Sequence, residues 1–127
     1  MPMSYYLENK LLDATLKNTS YTSPTTVYLA LFSTVCSQSA AATELSGNGY
    51  SRQSITFGTS ASGGTITNTA NVAFTASGGN WSQAVSSAIM DASTGGNVLY
   101  YFNGSPKTVL NGQTLTYESG KIIVAIA

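Results

Sequence analysis

The stretch Val27-Tyr28-Leu29-Ala30-Leu31-Phe32 consists of six consecutive apolar residues. Successive side chains of a β-strand point to opposite faces of the sheet, so a strand formed here is apolar on both faces. Strands of this kind belong in the middle of a sheet, where other layers of the protein cover both faces. The stretch therefore predicts a central, doubly covered strand.

Downstream of this strand, short apolar segments alternate with turns rich in Gly, Ser, Asn and Pro. Trp81, Val85 and Ile89 recur at every fourth position, and we interpret them as inward positions on a strand because long straight-chain helix formers are missing nearby. Residues 98–102 are predicted to form another strand, with a turn over 103–106. About seven or eight short strands at roughly 8–12-residue spacing predict a mainly β fold, an antiparallel β-sandwich or jelly roll.

Alternation along these strands predicts which apolar side chains are buried. The predicted core consists of Val27, Leu29, Leu31, Phe57, Phe74, Trp81, Val98, Tyr100, Phe102, Ile122, Val124 and Ile126. Cys36, the single cysteine, follows the apolar stretch and is predicted to be a small buried residue. It cannot form a disulfide within the chain, so the sequence implies no oxidising compartment.

One short helix is predicted before the strands begin. Ser4 is suited to cap its N terminus. Leu7, Leu11 and Ala14 recur at helical spacing, which gives the helix one apolar face. Two interpretations stay open at this point: the helix lies on the body of its own domain, or it is an arm that docks on a neighbouring subunit.

The chain therefore divides into an N-terminal helix or arm, residues 1–20, and a single β-sandwich domain, residues 21–127. At 127 residues the chain is long enough to bury about two-thirds of its unfolded surface. Under the arm interpretation, removal of residues 1–18 leaves the sandwich folded but weakens its attachment to neighbouring subunits.

The composition lacks the side chains on which most enzymes depend. The chain has no histidine, one cysteine, five basic residues and five acidic residues. Nucleophiles of the Ser-His-Asp and Cys-His types therefore lack their base, and a zinc or iron site lacks ligands. A glycosidase-like carboxylate pair is the one mechanism left open, and its candidates are Glu8, Asp13, Glu44, Asp91 and Glu118. Since each of these carboxylates also suits a structural role, we expect no enzymatic activity, no metal and no cofactor.

The scarcity of charge indicates the kind of partner. Charged residues make up 8% of the chain, and the formal net charge is zero. Little electrostatic repulsion separates copies of such a chain, so a homo-oligomer or a larger assembly is expected. The basic residues are too dispersed to neutralise phosphates, and we expect no nucleic-acid binding. The apolar runs are too short to span a membrane, and the start lacks the basic residues of a signal peptide.

Short landmarks follow one another along nearly the whole chain. In order, they are Tyr6-Leu7-Glu8-Asn9-Lys10-Leu11-Leu12-Asp13, Tyr21 and Pro24 before Val27-Tyr28-Leu29-Ala30-Leu31, Gly47-Asn48-Gly49-Tyr50-Ser51-Arg52, Trp81, Ile89-Met90-Asp91-Ala92, Gly95-Gly96-Asn97-Val98-Leu99, Lys107-Thr108-Val109 and Gly112. This order resembles a family of small tailed-bacteriophage virion proteins, often labelled tail or tail-fibre proteins. The resemblance implies a virion structural protein, made in the bacterial host cytoplasm and located on the outer surface of the capsid, neck or tail.

Within that class, the lack of repeats or heptads argues against a fibre shaft, and a compact β-domain suits a capsid decoration (cement) protein. Such a protein reinforces contacts between shell subunits, and its partners are the major capsid protein or other virion subunits. The alternative is a neck, tail-surface or fibre-associated protein that binds a glycan or receptor. The residues predicted to form the interface are Tyr5, Tyr6, Leu7, Leu11, Leu12, Tyr50 and Arg52.

Overall fold

The structure, a computed structural model, describes residues 1–39 and 42–126. Its elements in chain order are α1 Tyr5–Leu16, β1 Val27–Phe32, β2 Gln53–Ile55, β3 Thr65–Thr67, β4 Val72–Thr75, β5 Ala84–Met90, β6 Val98–Lys107, β7 Thr114–Tyr117 and β8 Ile123–Ala125. Strands account for 35% of the chain and helix for 10%. The prediction of a mainly β, antiparallel fold with a short N-terminal helix is confirmed, and the jelly-roll arrangement stays a prediction.

The predicted central strand is confirmed as β1. The largest sheet has the order β2-β1-β5-β6, so β1 is paired along both of its edges. The antiparallel registers place Leu29 opposite Gln53 of β2 and opposite Ile89 of β5. The last four residues of β1 are buried, as a strand covered on both faces requires.

The two faces of β1 contribute to separate apolar clusters. Leu29 belongs to the larger cluster, to which the two-stranded sheets β4–β7 and β3–β8 contribute Phe74 and Val124. Phe32 belongs to the smaller cluster, where Cys36 from the segment after β1 packs against it. Cys36 is 4% exposed, so the prediction that it is buried is confirmed.

Most of the predicted core is buried, but two assignments are wrong. The buried members are Leu29, Leu31, Phe74, Trp81, Val98, Ile122 and Val124. Val27, Phe57 and Tyr100 are half-buried against the larger cluster. Phe102 is 52% exposed because β6 leaves the core after its first four residues. Ile126 is 53% exposed and lies beyond Ala125, the last residue of β8.

A β-bulge at the start of β6 interrupts the alternation that the sequence suggests. Met90 pairs with Val98 and Ile89 pairs with Tyr100, so Leu99 is an extra residue between the two pairs. Leu99 consequently packs in the same cluster as Tyr100, whereas strict alternation assigns these neighbours to opposite faces.

The turn predicted over residues 103–106 is wrong, because β6 continues to Lys107. The Asn103 side chain binds the backbone of Cys36: its Oδ1 accepts the Cys36 N–H at 2.8 Å, and its Nδ2 donates to the Cys36 carbonyl at 2.9 Å. A register shift follows, and Ala84 pairs with Lys107 near the end of the strand. Asn, Gly and Pro, which are typical of turns, are here part of an irregular strand.

The N-terminal segment packs on the body of its own chain. Ser4 caps α1 as predicted, since its Oγ accepts the Leu7 N–H at 3.2 Å. Before the helix, Met3 forms a β-bridge with Tyr100, and the Ser4 N–H donates to the Leu99 carbonyl at 2.9 Å. Leu7 is buried in the larger cluster. Among the described residues, no helix has both the length and the hydropathy of a membrane-spanning segment.

Candidate interaction surfaces

Three of the carboxylates considered for a glycosidase-like pair are engaged in contacts that hold the fold. Glu8 accepts a hydrogen bond from the Gln38 side-chain amide at 2.9 Å. Asp91 accepts a backbone N–H across its own turn at 2.7 Å, and Glu44 forms an ion pair with Arg52. Among the described residues, no group of three or more His, Cys, Asp or Glu is placed to hold a metal ion.

Tyr50 and Arg52, two predicted interface residues, are brought together by Glu44. Arg52 donates from Nε and Nη2 to the two Glu44 oxygens, both at 2.9 Å. The Tyr50 hydroxyl donates to Glu44 Oε2 at 2.6 Å and accepts the Leu31 N–H at 3.0 Å. The Tyr50 ring stacks on Phe74, with the ring centroids 6.2 Å apart. Both side chains are thus tied into their own fold, and an interface role for them stays a prediction.

Burial, hydrogen bonds and charge together shift the pKa values of the residues in this cluster. Burial by itself raises the pKa of Glu44, but hydrogen bonds from Arg52 and Tyr50 and the charge of Arg52 outweigh burial and lower it below 4.5. Burial raises the pKa of Tyr50, and the hydrogen bond to Glu44 raises it further, although by less than burial does. The hydrogen bond to Glu44 outweighs burial and raises the pKa of Arg52, so the ion pair persists across the neutral range.

The predicted interface residues on α1 fall into three groups. Leu7 is buried in the core. Tyr6 and Leu11 are half-buried and pack against the larger cluster. Tyr5 is 52% exposed and Leu12 is 55% exposed, so these two side chains are accessible to a partner.

One further exposed apolar residue on α1, Leu16, was not predicted as an interface residue. Leu16 is 82% exposed and lies one helical turn beyond Leu12. Its spacing of four from Leu12 was the sequence signal that could have identified it. We call Leu12 and Leu16 the helix stripe.

A groove that sequence reasoning missed lies among β5, β6, β7 and β8. It consists of two adjoining depressions of about 260 Å³ each, which share Ser87, Phe102 and Tyr117. We call it the apolar groove, after its apolar lining residues Met1, Val85, Phe102, Tyr117, Ile122 and Ile123. Two lysines, Lys107 and Lys121, also line it.

The apolar groove exposes large side chains to water. Phe102 is 52% exposed and Ile123 is 54% exposed. Ile123 follows Ile122 and precedes Val124, so alternation in a strand places it on the outward face. That run of three apolar residues was the available sequence signal, because one of the three must point away from the core.

Comparison with curated proteins gave no match. A family model described as podophage GP4 fiber I protein gp80 matches residues 2–125. The matched region contains α1, all eight described strands and every lining residue named for the two exposed apolar surfaces except Met1. The chain therefore belongs to the podophage GP4 fiber I protein gp80 family, a family of phage virion structural proteins.

Proposed function

We propose that this protein is a non-enzymatic structural subunit of a podophage fibre, and that copies assemble by seating the helix stripe of one copy in the apolar groove of the next. The observation that carries the proposal is the presence of two exposed apolar surfaces on different elements of one chain: Leu12 and Leu16 on α1, and Phe102 and Ile123 in the groove. Family membership supports the assignment to a fibre.

A contact between two different surfaces is heterologous, and such contacts build rings when the rotation closes and open filaments when it does not. A row of compact domains can therefore form part of a fibre although its sequence has no internal repeat. An apolar helix face in an apolar groove is a common mode of protein recognition. The zero net charge of the chain leaves little repulsion to oppose association between copies.

Cysteine cross-linking between copies tests this contact. A Leu16→Cys variant is mixed with an Ile123→Cys variant under mild oxidation, and Cys36 does not compete because it is 4% exposed. We expect disulfide-linked heterodimers in this mixture. The matched control replaces Ile123→Cys with Val35→Cys, since Val35 is 69% exposed but belongs to neither surface. Equal cross-linking in both mixtures would contradict the proposed contact.

Capsid decoration is a second candidate function. The compact β-domain without a repeat favours it, because a decoration protein needs one folded unit per binding position on the shell. Gold labelling of a tagged copy on intact particles separates the two candidates. We expect label at the tail fibres, whereas label spread over the capsid shell contradicts the fibre assignment and supports decoration.

A further inference from the structure

A depression separate from the apolar groove, and lined by more polar residues, lies at the start of α1. Its volume is about 340 Å³, near the lower end of the range of roughly 300–1,000 Å³ that is typical of small-ligand sites. The residues that line it include Ser4, Tyr5, Tyr6, Gln38, Asn97 and Val98. We call it the polar groove. None of the described residues that line it carries a charge.

Two amide side chains of the polar groove are held by carboxylates. Gln38 Nε2 donates to Glu8 Oε1 at 2.9 Å. Asn97 Nδ2 donates to Asp91 Oδ2 at 3.0 Å, while the Asn97 backbone N–H donates to Asp91 Oδ1 at 2.7 Å. A carboxylate only accepts hydrogen bonds, so the NH₂ group of each amide must face it and the orientation of both amides is determined.

These contacts leave the acceptor side of each amide for a ligand. Among the described residues, none donates a hydrogen bond to the side-chain oxygen of Gln38 or of Asn97, whereas their backbone carbonyls accept the N–H groups of Tyr5 and Asp91. The polar groove therefore presents two preoriented acceptors, which suit hydroxyl donors. Ordering these side chains in advance lowers the entropic cost of binding.

The surrounding charges disfavour an anionic ligand. Glu8 and Asp91 lie next to the amides that they hold, so an anionic ligand meets two carboxylates. The Lys10 ammonium lies 5.8 Å from the centre of the Tyr6 ring, outside the residues that line the groove.

Tyr5 supplies the apolar part of the site. It is 52% exposed although it carries a large aromatic ring, and it lines the same groove as the two amides. An aromatic face that is apolar in its centre, together with amide acceptors, complements a ring that has C–H faces and a hydroxylated rim. We propose that the polar groove binds a neutral sugar ring, with the ring on Tyr5 and its hydroxyls donating to Gln38 and Asn97.

The site can be tested by nuclear magnetic resonance titration of the isotopically labelled protein. The neutral probes are the methyl pyranosides of glucose, galactose and mannose. Methyl glucuronide controls for charge, and cyclohexanol controls for a ring that lacks the hydroxylated rim. We expect shifts of the Tyr5 and Asn97 backbone amides with at least one neutral pyranoside, at a dissociation constant of about 1 mM, and smaller shifts with both controls.

Two variants and a matched control locate the binding. Tyr5→Ala and Asn97→Ala each remove one proposed contact, and Asn97→Ala keeps the backbone hydrogen bond to Asp91. We expect each to weaken pyranoside binding about tenfold or more. Phe102→Ala is the control, because Phe102 is also 52% exposed but lies in the apolar groove.

Three results overturn the sugar site: no shift with any neutral pyranoside, shifts equal to those from cyclohexanol or the glucuronide, or unchanged binding by both variants. The outcome is independent of the assembly proposal. If Tyr5→Ala loses sugar binding but assembles normally, and Phe102→Ala shows the reverse, each surface has its own function. If only one of these losses is found, only the corresponding proposal stands.

Discussion

Arg52 and Glu44 form a two-pronged ion pair in which Nε–Oε2 and Nη2–Oε1 are both 2.9 Å. The remaining nitrogen, Nη1, donates to the carbonyls of Ala92 and Gly95, each at 2.8 Å. The Arg52 side chain is 7% exposed, so these bonds form largely out of water. One guanidinium thus joins the residues before β2, the segment around Glu44 and the turn after β5.

Loss of this guanidinium should destabilise the fold. We expect Arg52→Ala to lower the free energy of unfolding by about 2–4 kcal/mol, because it removes the cation that pairs with Glu44 and leaves two backbone carbonyls without their donor. Urea denaturation measures the change. Lys17→Ala, at an exposed position, is the control and should change stability by less than about 0.5 kcal/mol. A change for Arg52→Ala as small as the control's means that the cluster does not hold these segments together.

The same ion pair predicts a loss of stability in acid. The pKa of Glu44 is lower in the folded protein than its ordinary value of 4.5, so the unfolded chain binds the proton more readily. The contribution of Glu44 is therefore fully present above the unfolded pKa and is lost as the pH falls through the folded pKa. We expect Glu44→Gln to flatten the dependence of unfolding free energy on pH below 4.5. Parallel curves for the two proteins contradict this assignment.

Two leucines on α1 should respond in opposite ways to the same substitution. Leu7 is 4% exposed and Leu12 is 55% exposed. We expect Leu7→Ala to cost about 2–5 kcal/mol of stability in urea denaturation, and Leu12→Ala to leave stability nearly unchanged. Leu12→Ala should instead reduce self-association in sedimentation. Equal stability losses would show that the outer half of the helix also belongs to its own core.

The features of the fold that depend on a short stretch of sequence could be predicted from that stretch. The six apolar residues of β1 determine a doubly covered strand by themselves, and Leu29 and Leu31 are buried as predicted. The Ser4 cap is likewise local, because its Oγ binds a backbone N–H three residues away. Such features need no knowledge of distant parts of the chain.

The failures depend on distant pairing. Asn103 was assigned to a turn from its own neighbourhood, but it binds the backbone of Cys36, which is 67 residues away. The bulge at Leu99 arises from the register between β6 and β5, and no residue type near Leu99 predicts a bulge there. The contact of Arg52 with the Ala92 carbonyl, 40 residues away, could likewise not be predicted from its own neighbourhood, and an interface role for Arg52 stays a prediction.

Alanine substitutions at one buried leucine and one exposed isoleucine test which residues belong to the core. Leu29 is 1% exposed, while Ile126, which was also predicted to be buried, is 53% exposed. We expect Leu29→Ala to lower the free energy of unfolding by about 2–5 kcal/mol, and Ile126→Ala to lower it by less than about 0.5 kcal/mol. Thermal or urea unfolding measures both. A change below about 0.5 kcal/mol for Leu29→Ala means that β1 is misplaced.

We infer that the apolar groove attaches this subunit to its neighbours in the virion. Particles of a phage that lacks the gene can be complemented with a Phe102→Asp copy or with a Val35→Asp copy as the control. Both positions are exposed, at 52% and 69%, so both proteins should remain folded by circular dichroism. Quantitative immunoblotting of purified particles then measures incorporation. We expect the Phe102→Asp protein to be depleted from particles and the Val35→Asp protein to be present at the wild-type level. Full incorporation of the Phe102→Asp protein contradicts it.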